Sequence, residues 1–296
     1  PRQENPPLPW SNLSPPHTNA TADNAGIGFS GTASTFNALT ANADDRIAVS
    51  VNLTTDTGSL ALEGDADNAA DTNDDITLAA GTTLTSAGSI TLDATTGGMS
   101  GAGALTLNAV GGVTLNDSLT TAGTTIIDSD TDNNGVGTFT IASGKALSTS
   151  GNALTITADD IALTGTLNSG AALTTILVSD TGTIGLGATA GGMTITDAEL
   201  GNITATGLTL GDATNGSITV NGITAANSNN ISGTVTLNAT ADNAGIAFSG
   251  TASTFNALTA NADDRIAVSV NVTTDTGDLA LEGDADNAAD TNDDIT

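Results

Sequence analysis

The sequence predicts an all-β chain wound as a right-handed parallel β-helix, or β-solenoid, and three observations carry that prediction. A short apolar-Thr-apolar phrase recurs between turn residues. Side chains that fill a wide core are scarce, with five Phe, one Trp and no Tyr in 296 residues. A 59-residue segment reappears 219 positions later with three changes. Alternation at period two turns Ile, Leu or Val inward and Thr outward. Gly, Asn and Asp suit the turns because they tolerate left-handed backbone angles. A wide core normally draws on aromatics, each of which buries a large area, so aliphatic layers imply a narrow one. Self-similarity at a fixed period is the mark of solenoids and arrays.

Along the chain, residues 1–18 form a Pro-rich segment outside the repeat. All six prolines lie between Pro1 and Pro16, beside Trp10 and the only histidine, His17. Proline lacks the N–H that a ladder needs, so this stretch is not a central strand; it reads as a linker or an artefact. Residues 19–237 make one solenoid unit, and residues 238–296 begin a second, truncated one. Asn19 to Thr77 returns as Asn238 to Thr296, with Gly28, Leu53 and Ser59 replaced by Ala247, Val272 and Asp278. The second copy stops inside a phrase that the first completes with Leu78-Ala79-Ala80, so a longer parent with further units is expected. Between the copies the phrase recurs as Ile76-Thr-Leu78, Ile90-Thr-Leu92, Leu105-Thr-Leu107, Val113-Thr-Leu115, Phe139-Thr-Ile141, Leu154-Thr-Ile156, Met193-Thr-Ile195, Leu208-Thr-Leu210, Ile218-Thr-Val220 and Val235-Thr-Leu237. A β-sandwich array is the alternative for so many short strands. The solenoid is preferred because a sandwich wants aromatic anchors and longer strands, whereas stacked coils bury each aliphatic layer under the next. At roughly 20–25 residues per coil, one unit makes about ten coils. The right-handed sense follows from the handedness of parallel β connections.

The charge balance narrows the partners. Thirty-three acidic residues face four basic ones, Arg2, Arg46, Lys145 and Arg265, for a net charge of −29. Nucleic acid and anionic membrane need clustered Lys and Arg and are poor partners, so no nucleic-acid partner is expected. There is no cysteine, which rules out disulfides and Cys-ligated zinc. No apolar run approaches the ~18 residues that span a bilayer, so no membrane insertion is expected. No signal peptide is seen, and the chain begins at Pro1 rather than Met.

A family resemblance rests on particular stretches. Thr183-Ile-Gly-Leu-Gly187, Gly191-Gly-Met-Thr-Ile-Thr-Asp-Ala-Glu-Leu-Gly-Asn-Ile-Thr204, Gly207-Leu-Thr-Leu-Gly211 and Gly216-Ser-Ile-Thr-Val220 resemble the repeat region of filamentous-haemagglutinin-like adhesins, which are very large bacterial surface proteins. Ala87-Gly-Ser-Ile-Thr-Leu-Asp93 and Gly151-Asn-Ala-Leu-Thr-Ile-Thr157 are similar to their coil repeats. The Asp197-Ala-Glu-Leu200 phrase is the most specific element, and the resemblance covers about residues 20–296. It implies a right-handed parallel β-helix. It also implies export through the outer membrane with a secretion partner, and display at the bacterial cell surface. The expected role is the adhesive or spacing shaft of a large secreted protein. Its partners would be a host or neighbouring-cell surface, a glycan or matrix. The family's N-terminal secretion domain is not visible in this sequence.

Candidate chemistry is sparse. Parallel β-helices also carry polysaccharide lyases and hydrolases, which makes a carbohydrate-active enzyme the alternative, with a surface-layer or matrix component as a second. A lyase wants a Lys or Arg base beside calcium. Arg46 and Arg265 are copies of one another, each preceded by two Asp, and read as surface ion pairs. With no Cys or Tyr, and the single His in the Pro-rich stretch, nucleophile–base dyads are nearly excluded, and no enzyme is expected. Asp128-Ser-Asp130-Thr-Asp132 resembles the start of a calcium loop, since alternating carboxylates can converge on one hard cation. No Gly stands at the sixth position and no Glu at the twelfth, so it is not an EF-hand. A second acidic loop, Gly64 to Asp75, returns at Gly283 to Asp294. For both loops a solvated turn is the competing reading. Thr-x-Thr phrases at 138–140, 155–157 and 194–196 raise ice binding, against which their irregular spacing argues.

Overall fold

The computed structural model describes residues 17–70, 73–285 and 294–296. Every strand pairing among them is parallel, and with one exception, Ile184–Gly187 beside Met193–Ile195, strands that neighbour one another in a sheet are not consecutive in the chain. Sandwiches are built from antiparallel sheets, so the sandwich alternative falls and the parallel β-helix stands. The chain visits three faces in turn. The first-face sheet runs from His17–Ala20 through Asp160–Leu163, the second from Ile27–Phe29 through Ile203–Thr204, and the third from Ser34–Phe36 through Leu279–Glu282. The third face is one uninterrupted eleven-stranded sheet. The strand His17–Ala20 is the outermost of its sheet among the described residues.

Register pairing builds the core. Leu39, Leu60, Ile90, Val113, Phe139 and Ile161 stack in one inward column of the first face, and all are buried. Ile47, Ile76, Met99, Leu119, Leu147 and Leu167 do the same on the second. Thr between them faces outward, as the alternation predicts. The coils are fewer and wider than expected. On the third face only eight steps separate Ser34–Phe36 from Thr234–Ala239. Corner loops absorb the excess length: Ser34 pairs with Leu53 but Leu167 pairs with Ile203.

The interior is not wholly apolar. Where the second face turns into the third, hydroxyls point inward and satisfy one another. Thr121 Oγ1 lies 2.6 Å from Thr125 Oγ1, and Thr174 Oγ1 donates to Ser169 Oγ at 2.8 Å. All four side chains are fully buried. Thr is close to Val in shape, so it fits an inward corner provided its hydroxyl finds a partner.

One coil breaks the pattern. Ile184–Gly187 pairs with Ile218–Asn221 on one side and with Met193–Ile195 on the other, only nine residues along the chain. Met193–Ile195 in turn lies against Asp160–Leu163, and the Thr194 N–H donates to Asp160 Oδ1 at 2.9 Å. The first face thus gains an extra strand, and the six-stranded sheet beyond it continues that face through Ile246–Phe248 and Arg265–Val268. The loop joining the two strands crosses the outer side of Ile184–Gly187. A Cβ on Gly185 would sit 2.5 Å from the Thr189 carbonyl oxygen, which explains a glycine inside a strand.

Candidate functional surface

The Asp-Ala-Glu-Leu phrase forms helix α1 (Asp197–Gly201), a single turn closed by a capping box between Thr196 and Glu199. Its two carboxylates tie neighbouring coils together. Glu199 Oε1 accepts from the Leu163 N–H at 3.1 Å, and Oε2 accepts from the Thr196 N–H at 2.9 Å. Asp197 reaches the other way, accepting from the Thr224 N–H, the Thr224 hydroxyl and the Asn227 amide at 2.7–2.9 Å. Thr224 and Asn227 belong to helix α2 (Ala225–Ser228) and its N-cap. The phrase is a staple between coils.

The three carboxylates of the calcium-like stretch take separate roles. Asp130 is fully buried. It accepts from the backbone N–H groups of Asn134 and Gly135 at 3.2 and 3.1 Å and from the Ser179 hydroxyl at 2.5 Å. Asp128 accepts from the Asp130 N–H at 3.2 Å. Burial, opposed by that hydrogen bond and reinforced by the Asp130 charge, raises its carboxyl above the usual range. Asp132 is exposed and accepts from the Asn134 amide. Among the described residues, no group of three or more acidic or histidine side chains is placed to hold a metal ion. Asp130 acts as the anchor of the turn. Asp159 faces the same turn, and burial with the Asp180, Asp130 and Asp160 charges raises its carboxyl too.

A second acidic column lies at the corner between the first and second faces. Asn19, Asn42, Glu63 and Asp93 occupy successive register positions, and the Asn42 amide donates to Asn19 at 3.0 Å. Burial, aided by the charges of Asp93, Asp65 and Asp117, pushes Glu63 up to about 7. Nearby, Asp117 is buried and forms a 2.9 Å ion pair with Lys145. Of the second acidic loop, residues 71–72 and, in its copy, 286–293 lie outside the described residues.

The arginine expectation needs correcting. Lys145 with Asp117 is the one ion pair among the described residues. Arg46 and Arg265 are exposed and stand in register with Asp75 and Asp294 without closing a pair. Each borders a shallow groove floored by small side chains: Gly26, Gly28 and Ala48 in one copy, and Gly245, Ala247 and Ala267 in the other.

The outer third face carries what sequence reading missed. Thr83, Thr106, Ile126, Thr155, Thr175, Thr209, Thr236, Thr259 and Ala280 stand in one uninterrupted column. Uneven sequence spacing hid it, because corner loops of different length return each strand to the same register. The next column holds Thr85, Asn108, Asp128, Thr157 and Leu177. The paired Thr columns of a flat ice-matching array are therefore not formed here. The result is a neutral stripe, hydroxyl-bearing except at Ile126 and Ala280, on a strongly acidic chain. No family model, curated protein or solved structure matches this chain.

Proposed function

We propose that this chain is the shaft of a large secreted, cell-surface protein of the filamentous-haemagglutinin-like kind, working mechanically rather than as an enzyme. The observation that carries this reading is the single third-face sheet, which passes from the first copy of the duplicated segment into the second without a domain boundary. Stacked coils make length proportional to chain, and weak contacts repeated along such a shaft add by avidity. The neutral hydroxyl stripe is the contact surface, laid against glycan or matrix hydroxyls, and the net charge of −29 keeps the polymer dispersed. The parent reaches the surface with an outer-membrane secretion partner. Beads coated with the chain and presented to cells and to immobilised glycans test this. Adhesion that falls several-fold in Thr209→Glu/Thr236→Glu, with an unchanged circular dichroism spectrum, supports the reading. Beads that adhere no better than albumin-coated controls would favour a matrix component, and release of reducing sugar would favour the enzyme.

A further inference from the structure

The two copies of the duplicated segment fold alike but sit on different faces. Leu39–Ala43 and Leu60–Glu63 belong to the first face, while their equivalents Ala257–Ala262 and Leu279–Glu282 belong to the third. Ile27–Phe29 and Arg46–Val49 lie on the second face, whereas Ile246–Phe248 and Arg265–Val268 lie in the sheet that continues the first. Ser34–Phe36 and Leu53–Thr55 are third-face strands. Their equivalents Ser253–Phe255 and Val272–Thr274 form a sheet of their own. It stands above Ile231, which bridges to Ala205 next to the last second-face strand. Every strand has moved by one face in the same sense. The third face takes eight steps from Ser34–Phe36 to Thr234–Ala239, the equivalent of His17–Ala20, which itself lies two faces before Ser34–Phe36.

We infer that the 219-residue duplication is a screw of eight and two-thirds turns, so that each copy presents the same surface on a different face of the rod. The inference stands on the fold alone and not on the shaft reading. The segment tolerates the move because its corners are closed by its own residues. The Asn24 N–H donates to Asp44 Oδ2 at 2.8 Å, and the Asn243 N–H donates to Asp263 Oδ2 at 2.8 Å. Asn24 and Asn243 hold left-handed φ values of 61° and 63°. The Asn42–Asn19 amide contact of 3.0 Å returns as Asn261–Asn238 at 2.9 Å. Nothing in this closure refers to a particular face.

The consequence concerns recognition. At the ~4.8 Å strand spacing of a sheet, one step of the screw advances about 42 Å along the axis. Three such steps are needed to return to the starting face, about 125 Å along. A polymer lying along one face therefore meets the Arg46 surface and, a unit later, a different surface; the Arg265 copy is on the neighbouring face. Partners that surround the rod, such as a mesh of glycan chains, reach both.

Cysteine pairs test the register, because the chain has no cysteine of its own. Thr209 with Thr236, and Thr219 with Ala247, are register partners on the third and first faces. Adjacent strands bring such positions within the Cα separation a disulfide needs. Mild oxidation and peptide mapping of Thr209→Cys/Thr236→Cys and Thr219→Cys/Ala247→Cys are expected to show both disulfides. A whole-turn repeat would instead place Thr234–Ala239 on the first face beside Ile218–Asn221. A disulfide in Thr219→Cys/Thr236→Cys, with none in the two expected pairs, would overturn the inference.

Discussion

At the residue scale, buried Asp side chains hold the corners. Asp130→Ala removes the acceptor of two backbone N–H groups and the Ser179 hydroxyl, and it is expected to destabilise by about 1–3 kcal/mol. Asp132→Asn, on an exposed position, should stay within about 0.5 kcal/mol. Thermal melts of both variants with and without calcium check the assignment of Asp130 as turn anchor: the melting temperature should be indifferent to calcium. Lys145→Ala leaves the buried Asp117 charge without its cation and should destabilise by about 2 kcal/mol. Adding Asp117→Asn removes the charge, so the double variant should recover part of that loss in urea unfolding.

At the element scale, the extra strand and the acidic column dominate. Gly185→Ala forces a methyl group against the crossing loop, and urea unfolding should show a loss of about 1–3 kcal/mol. Glu63 makes stability depend on pH. Its folded pKa of about 7 lies above the ordinary 4.5, so the folded chain binds more protons than the unfolded chain between those values. Its contribution is fully present below about pH 4.5 and is lost as pH rises through about 7. Asp75, Asp128 and Asp159 are raised as well, chiefly by burial, and act in the same sense. The melting temperature should therefore rise on acidification from pH 8 to pH 5.5. Glu63→Gln should melt higher than the parent at pH 8 and show a shallower pH slope.

At the scale of the whole molecule, the two copies display what a neighbouring coil contributes. Leu60 has coils on both sides and is 0% exposed, while the same residue in the second copy, Leu279, is 43% exposed in the last described sheet position. The opposite holds at the other end, where Phe29 and Phe36 are only partly buried and Phe248 and Phe255 are fully so. Covering a Leu or Phe is worth about 1.5–3 kcal/mol, so stability resides in the contact between coils rather than within one. Leu84→Ala, fully buried with a strand on either side in the third-face sheet, is expected to lose about 2–5 kcal/mol. By electron microscopy the folded chain should be a rod whose third-face sheet alone spans about 50 Å.

The sequence by itself determined the winding. Period-two alternation, turn residues and the shortage of aromatics are local properties, and each selects stacked aliphatic coils. It also determined the duplication, which is plain at 56 identical positions of 59. Only the tertiary structure decided which residues share a column, because corner loops of unequal length sit between strands of nearly equal length. That is why the stripe from Thr83 to Thr259 was illegible, and why Asp130 is buried as an anchor while Asp132, two residues on, is exposed. The face on which each copy lies is decided in the same way. It depends on how many corners the chain has turned, a sum over the whole unit that no local pattern records.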